Sequence, residues 1–176
     1  MKITPLTDEL IYSIIELAKK AGTAIMDVYV SDFDIQIKDD RSPLTEADIR
    51  ANTIINEGLK KVTPDVPVLS EEGKDIPFDE RSIWESYWLV DPLDGTKDFI
   101  KKNGEFTVNI ALVEKKVPVF GVVYAPAIDL LFWGSLENGA WKKKAHNPTQ
   151  AMRVADKMDE TVQIASSRSH PSDKMD

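Results

Sequence analysis

Near residue 64 the spacing of apolar residues changes from a helical period to an alternating one. Before that point Ile11, Ile14, Ile15, Ala18, Ala21, Ile25 and Val28 recur at intervals of three and four, which predicts a helix with one buried stripe. Thr7 followed by Asp8 and Glu9 reads as its start, because a hydroxyl cap and first-turn acids suit the positive end of a helix dipole. Phe33, Ile35 and Ile37 then alternate as a short strand would, and Ser42, Pro43, Leu44 and Thr45 form a turn into a second helix. That helix carries Ala47, Ala51, Ile54, Ile55, Leu59 and Val62 on its inner face and closes at Pro64 and Pro67. Beyond it, 66–69 and 87–90 are short apolar runs that each end on acids. Segments 106–113, 117–124, 129–134 and 140–143 read as successive antiparallel strands, with turns at Lys115-Lys116 and Asn138-Gly139. A last strand is expected at 161–165. Two helices followed by a meander imply an α+β layered fold, not a βαβ repeat.

The chemistry open to such a chain is narrowed by what it lacks. With no cysteine there is no disulfide, thiolate metal site, iron–sulfur cluster or cysteine nucleophile, and His146 and His170 are too few for a histidine-built centre. Any metal must therefore be held by oxygen. The formal net charge is −8, and the acidity is concentrated: residues 1–100 carry 21 acidic against 11 basic side chains, residues 101–176 carry 9 against 11. An acidic chain without a basic stripe is a poor partner for a nucleic-acid polymer and at most a peripheral one for an anionic membrane. No apolar run approaches the ~18 residues of a membrane span, and the opening MKITPLTDEL lacks the apolar stretch of a signal peptide. A cytoplasmic location follows as the expectation, with peripheral association on the inner face of the membrane at most.

Some of the acids stand at the ends of predicted elements, where they can converge. These are Asp48 early in the second helix, Glu71-Glu72 after one strand, and Asp91-Pro92-Leu93-Asp94-Gly95-Thr96 after another. Pro92 fixes its own φ and Gly95 permits a tight turn, so Asp91 and Asp94 can bend toward one point instead of alternating to opposite faces. Thr96 is expected to cap a short helix over 97–100. Singly, each piece has an ordinary reading: a turn, a solvated loop, a first-turn helix acid. Together they call for hard cations such as Mg²⁺, which take oxygen ligands and are usually completed by substrate phosphate. A pair of such ions can clamp a phosphoryl group and acidify an attacking water.

As a set these residues resemble the inositol monophosphatase-type family of metal-dependent, lithium-sensitive phosphatases. The run from Trp88 to Thr96 is similar to that family's principal signature, Leu69-Ser70-Glu71-Glu72 to its preceding glutamate motif, and the segment from Ser42 to Asp48 to the part that supplies its helix aspartate. Lys97 to Leu112 and Gly121 to Pro126 narrow the likeness to the bacterial 3′(2′),5′-bisphosphate nucleotidases, which release phosphate from adenosine 3′,5′-bisphosphate during sulfate assimilation. The resemblance implies a sugar-phosphatase-like α/β/α/β/α layering in complete members, and two or three Mg²⁺ ions. It further implies that Glu71, Asp91 and the Leu93 carbonyl form a first metal site and Asp91 with Asp94 a second. Asp48 paired with Thr96 would orient the nucleophilic water, with Glu71 counted beside them as catalytic, while Gly95 and Thr96 would cradle the substrate phosphate. The partner is then a small nucleotide, and a homodimer is possible within the family.

Family members continue into a second α/β domain whose Trp-Asp motif completes the second metal site and whose neighbours contact the nucleoside. This sequence ends before such a motif, so residues 1–160 are expected to be the metal-binding domain and 161–176 the opening of the next. Two other readings stand beside the nucleotidase: an inositol- or sugar-phosphate phosphatase of the same superfamily, and a non-catalytic metal-binding chain. His146 and His170, Lys142 to Lys144, and Trp84, Trp88, Trp133 and Trp141 carry ordinary structural readings as loop, solvated strand end and sheet or core residues.

Overall fold

The computed structural model describes residues 6–32, 34–37 and 43–154. In chain order the elements are helix α1 (Asp8–Tyr29), strands β1 (Ile35–Ile37) and β2 (Pro43–Thr45), and helix α2 (Glu46–Val62). Strand β3 (Val68–Ser70), a helical turn α3 (Phe78–Arg81), strand β4 (Ser86–Asp94) and helix α4 (Thr96–Ile100) come next. Strands β5 (Thr107–Glu114), β6 (Val117–Ala125), β7 (Leu130–Ser135), β8 (Gly139–Lys144) and β9 (Gln150–Met152) complete the order. Strands β3 to β9 form one sheet in sequence order. The β3–β4 pair is parallel and every later pair antiparallel; β1 and β2 pair separately.

Both long helices form where the periodicity placed them. Thr7 caps α1 by accepting the Leu10 N–H on its hydroxyl at 3.2 Å, and Ile14, Ala18, Ala21 and Ile25 are fully buried beneath it. The two helices lie side by side on one face of the sheet, α1 over β5 and β6 and α2 over β4. Their packing is close enough that a Cβ at Gly58 would fall 2.3 Å from Leu17 Cδ1. Among the described residues Trp88 is the largest fully buried side chain. Its indole N–H donates to Thr63 Oγ1 at 2.9 Å, and that hydroxyl donates to the Leu59 carbonyl at 3.0 Å, so β4 is tied to the end of α2.

Alternation along β4, β5 and β6 sends Trp88, Val90, Val108, Ile110, Phe120 and Val122 to the helices. The residues between them face the other way. Cross-strand register sets Leu89 beside Ala111 and Ala111 beside Gly121, while Leu69 of β3 lies beside Leu89. On that open face Leu89 and Val123 are exposed, and a groove of about 460 Å³ runs over Leu69, Leu89, Ala111, Gly121 and Val123 toward Glu71, Asp91 and Asn109.

The strand boundaries differ from expectation in informative places. Strand β3 starts at Val68, not 66, because the Pro67 carbonyl already accepts the Trp88 N–H and Pro67 has no N–H of its own to pair. Strand β4 continues past Val90 to Asp94, through a register shift between Asp91 and Asp94. Helical turn α3 and strand β9 have no hydrophobic stripe and were not expected; their residues are exposed. Phe33, the expected strand at 161–165 and His170 lie outside the described residues. His146 is exposed after β8, Lys142 to Lys144 end β8, and Trp84, Trp133 and Trp141 are half-buried.

Candidate functional site

Three neighbouring strands put polar groups at one end of the open sheet face. Asp91 of β4 stands directly opposite Asn109 of β5. On its other side the Glu71 N–H donates to the Val90 carbonyl at 3.0 Å, which continues the parallel pairing one residue past β3 and brings Glu71 beside Asp91. Beyond Asp91 the ladder slips: Asp91 pairs with Asn109 and Asp94 with Thr107, so β4 takes three steps where β5 takes two. This extra residue is a β-bulge, with buried Pro92 inside it, and it reverses the facing of the residues beyond it. Leu93 turns into the core, 2% exposed, and Asp94 emerges on the same side as Asp91. Convergence of the two aspartates is thus the work of the bulge.

The electrostatics register that convergence. Asp91 is pushed up to about 7 from 3.8, first by burial, then by the charges of Glu71 and Asp94 and by a side-chain hydrogen bond with Glu71; a backbone hydrogen bond from Leu93 pulls the other way. Its Oδ1 is buried with no hydrogen-bond partner. Asp94 is exposed, and its Oδ2 accepts the Asn109 amide at 3.1 Å.

A second cluster sits at the end of the bulge. Asp48 is 1% exposed, and its Oδ2 accepts both the backbone N–H and the hydroxyl of Thr45, at 2.7 and 2.6 Å. Its Oδ1 lies 3.2 Å from Thr96 Oγ1, which is also 3.2 Å from the Leu93 carbonyl oxygen. Both oxygens of Asp48 are therefore engaged. The hydroxyl proton of Thr96 is shared between an acidic and a carbonyl acceptor, which leaves its lone pairs to face outward as acceptors. Thr96 is not the cap of α4, as expected from the sequence. Gly95 takes that position, with its carbonyl accepting the Asp98 and Phe99 N–H groups, and Thr96 is the first helical residue. Gly95 itself could be nothing else: its φ is 93°, and a Cβ would lie 2.8 Å from the Glu105 carbonyl oxygen.

All the expected site residues thus occur within two adjoining groups: Glu71, Asp91 and Asp94 on the open sheet face, and Asp48, Gly95, Thr96 and the Leu93 carbonyl at the turn. As the side chains stand, no three described Asp, Glu or His residues form a ready ligand set for one ion. The fit to a divalent cation lies instead in the donor chemistry: an orphaned, buried carboxylate oxygen between two other acids is what such a charge would satisfy. Two residues went unnoticed in the sequence. Asn109 bonds Asp94. Asn52, one helical turn past Asp48, donates to the Glu72 carbonyl at 3.0 Å and accepts the Ser70 hydroxyl at 2.8 Å, so α2 holds the glutamate loop. For Asn109 the only available signal was a polar residue at an outward position of a strand.

The sequence profile of the inositol monophosphatase family matches residues 6–176. The chain belongs to that family. Among its relatives is the 3′(2′),5′-bisphosphate nucleotidase CysQ of Salmonella typhimurium, 50% identical over 162 residues, or 91% of this chain and 64% of that protein. The protein of the same name from Escherichia coli strain K12 is 51% identical over 158 residues, covering 88% of this chain and 62% of the relative. The chain therefore spans less than two thirds of the length of these curated relatives. The crystal structure of CysQ from Bacteroides thetaiotaomicron, a bacterial member of the family, superposes with a TM-score of 0.79 at 37% identity, over 97% of this chain and 67% of that one. The helix-on-sheet architecture of this chain is thus that of the inositol monophosphatase family.

Proposed function

We propose that this chain is the metal-binding part of a phosphomonoester hydrolase that converts adenosine 3′,5′-bisphosphate to AMP and phosphate. The observation that carries the reading is the orphaned Asp91 Oδ1, buried between Glu71 and Asp94 and one bulge away from the Asp48–Thr96 pair. Glu71, Asp91 and the Leu93 carbonyl would hold one Mg²⁺, and Asp91 with Asp94 a second. Bound there, Mg²⁺ supplies neutralisation of phosphate charge and acidification of water. The chain's own residues do the positioning. Thr96, its proton directed to Asp48 or Leu93, accepts a hydrogen bond from a water's O–H and so turns a lone pair of that water toward phosphorus. Asp48, buried and tied to Thr45, fixes the hydroxyl's direction instead of itself meeting substrate. Gly95, required by its φ of 93° and by the Glu105 carbonyl beside it, holds the turn whose backbone, with Thr96, would cradle the phosphate. Water adds to phosphorus, the ester oxygen leaves with a proton, and no covalent enzyme intermediate is needed.

The nucleotide preference rests on the identity to bisphosphate nucleotidases, with an inositol- or sugar-phosphate ester as the competing substrate class. A cytoplasmic setting suits the reading, and among the described residues no helix is long and apolar enough to cross a membrane. Because the chain spans under two thirds of those relatives, binding of metal without turnover is a second reading for these 176 residues. A paired experiment on the purified chain separates them: a Mg²⁺ melting series and phosphate release from adenosine 3′,5′-bisphosphate and inositol monophosphate. Mg²⁺ stabilisation with nucleotide-selective release supports the proposal, and stabilisation alone supports the second reading. No Mg²⁺ effect overturns both.

A further inference from the structure

Among the described residues Asn109 is the one neutral side chain bonded to the acid cluster on the sheet, and its geometry is fully determined. A carboxylate only accepts, so the amide NH₂ must be the group facing Asp94 Oδ2 at 3.1 Å. The amide oxygen then faces Thr107 Oγ1, also at 3.1 Å, and Thr107 must donate to it. The result is a directed chain, Thr107 to Asn109 to Asp94, running along the outward side of β5 to the far end of the bulge. It occupies one Asp94 oxygen and holds the carboxylate against rotation. Oδ1 is left as the unencumbered oxygen for a cation, while two-oxygen ligation would have to compete with the Asn109 hydrogen bond for Oδ2.

That restriction bears on which cation is accepted. Ca²⁺ takes six to eight oxygens at 2.3–2.6 Å and readily engages both oxygens of one carboxylate, whereas Mg²⁺ requires near-octahedral single-oxygen ligands at about 2.0–2.1 Å. We propose that Asn109, oriented by Thr107, keeps Asp94 a one-oxygen ligand and thereby favours Mg²⁺ over Ca²⁺ at this site. Asn109 is a positioning and selectivity residue acting through Asp94. The inference rests on the reading of Asp91 and Asp94 as cation ligands and goes beyond it by assigning the discrimination to a residue that touches no ion.

The test is calorimetric titration of the 176-residue chain with Mg²⁺ and with Ca²⁺ separately, for the unaltered protein, Asn109→Ala, Thr107→Val, Thr107→Ser and Asp91→Asn. Groups that orient a ligand typically change metal affinity by ~10–100-fold. Asn109→Ala should therefore raise the Ca²⁺-to-Mg²⁺ affinity ratio by about tenfold, the low end of that range. Thr107→Val should shift the ratio the same way by less, and Thr107→Ser, which retains the donor, should restore it. A purely structural role would lower both affinities together. Equal losses for the two ions, or an unchanged ratio in both Asn109→Ala and Thr107→Val, would overturn this inference while leaving the site intact. No binding by the unaltered chain, or full binding by Asp91→Asn, would overturn the reading of the site and this inference with it.

Discussion

Replacing Asp91 by Asn should make the metal-free protein more stable, the opposite of what loss of a buried hydrogen-bonding residue ordinarily does. Asp91 is raised from 3.8 to about 7 by burial and by Glu71 and Asp94. Between those two values the folded chain keeps a proton that the unfolded chain has released, so stability falls as pH rises through this window and the loss is complete above about 7. Nominally the shift is worth about 4 kcal/mol, and because the carboxylate is partly open to water, screening cuts this to on the order of 2 kcal/mol. Asn has the same shape and no charge. At pH 8 in EDTA, Asp91→Asn should therefore melt about 4–8 °C above the unaltered chain, using ~2–4 °C per kcal/mol for a domain of this size. The gap should shrink through pH 7 to 4 and vanish below 4, where Asp91 is neutral in both states. Mg²⁺ should reverse the order, because an ion at 100 times its Kd adds about 2.7 kcal/mol to whichever chain binds it. Thermal melts at half-unit pH steps, with EDTA and with Mg²⁺, read all of this directly. A variant no more stable than the parent at pH 8, or a gap that does not change with pH, would refute the argument that burial and the charges of Glu71 and Asp94 disfavour an ionised Asp91.

Three other perturbations test separate parts of the structure. In a chain extended to the length of its relatives, Thr96→Ala should slow phosphate release by ~10²–10⁴-fold while calorimetric Mg²⁺ affinity stays within a few-fold, since positioning and not ligation is lost; equal losses in both would make Thr96 a structural residue only. Gly58→Ala should destabilise by ~1–3 kcal/mol despite alanine's better helix propensity, because its methyl would meet Leu17 at the contact between α1 and α2; a higher melting temperature would show that Leu17 yields freely. Thr63→Val should cost ~1–3 kcal/mol in urea unfolding, as it leaves the buried Trp88 indole N–H without its acceptor; an unchanged midpoint would show that the indole finds another partner.

What the sequence disclosed and what it concealed divide along a physical line. Both helices, most strands and the α+β class follow from periodicity, because burial of one face imposes a repeat that the residues must carry along the whole element. Glu71, Asp91 and Asp94 could be singled out because strands that end on acids are conspicuous, and Asp48 because it opens a helix. The device that makes the two aspartates meet was less legible. Pro92 and Gly95 suggested a bend, yet the bend is one surplus residue in β4, and a surplus exists only relative to the partner strand. No inspection of residues 91–96 alone can reveal a mismatch with residues 107–109. The same holds for Asn109 and Asn52, whose significance is in what they touch: an outward asparagine on a strand or on a helix is an ordinary surface residue until the fold sets Asp94 or the Glu72 carbonyl beside it. Thr96 shows the converse case. Its sequence context fits a helix cap, but with Gly95 in a left-handed conformation as the cap, the hydroxyl is free to join Asp48 across the turn. A site assembled from a bulge, a cap and two cross-element amides is legible in its charged members and hidden in the neutral ones that aim them, which is why metal selectivity is the property most worth measuring next on Asn109.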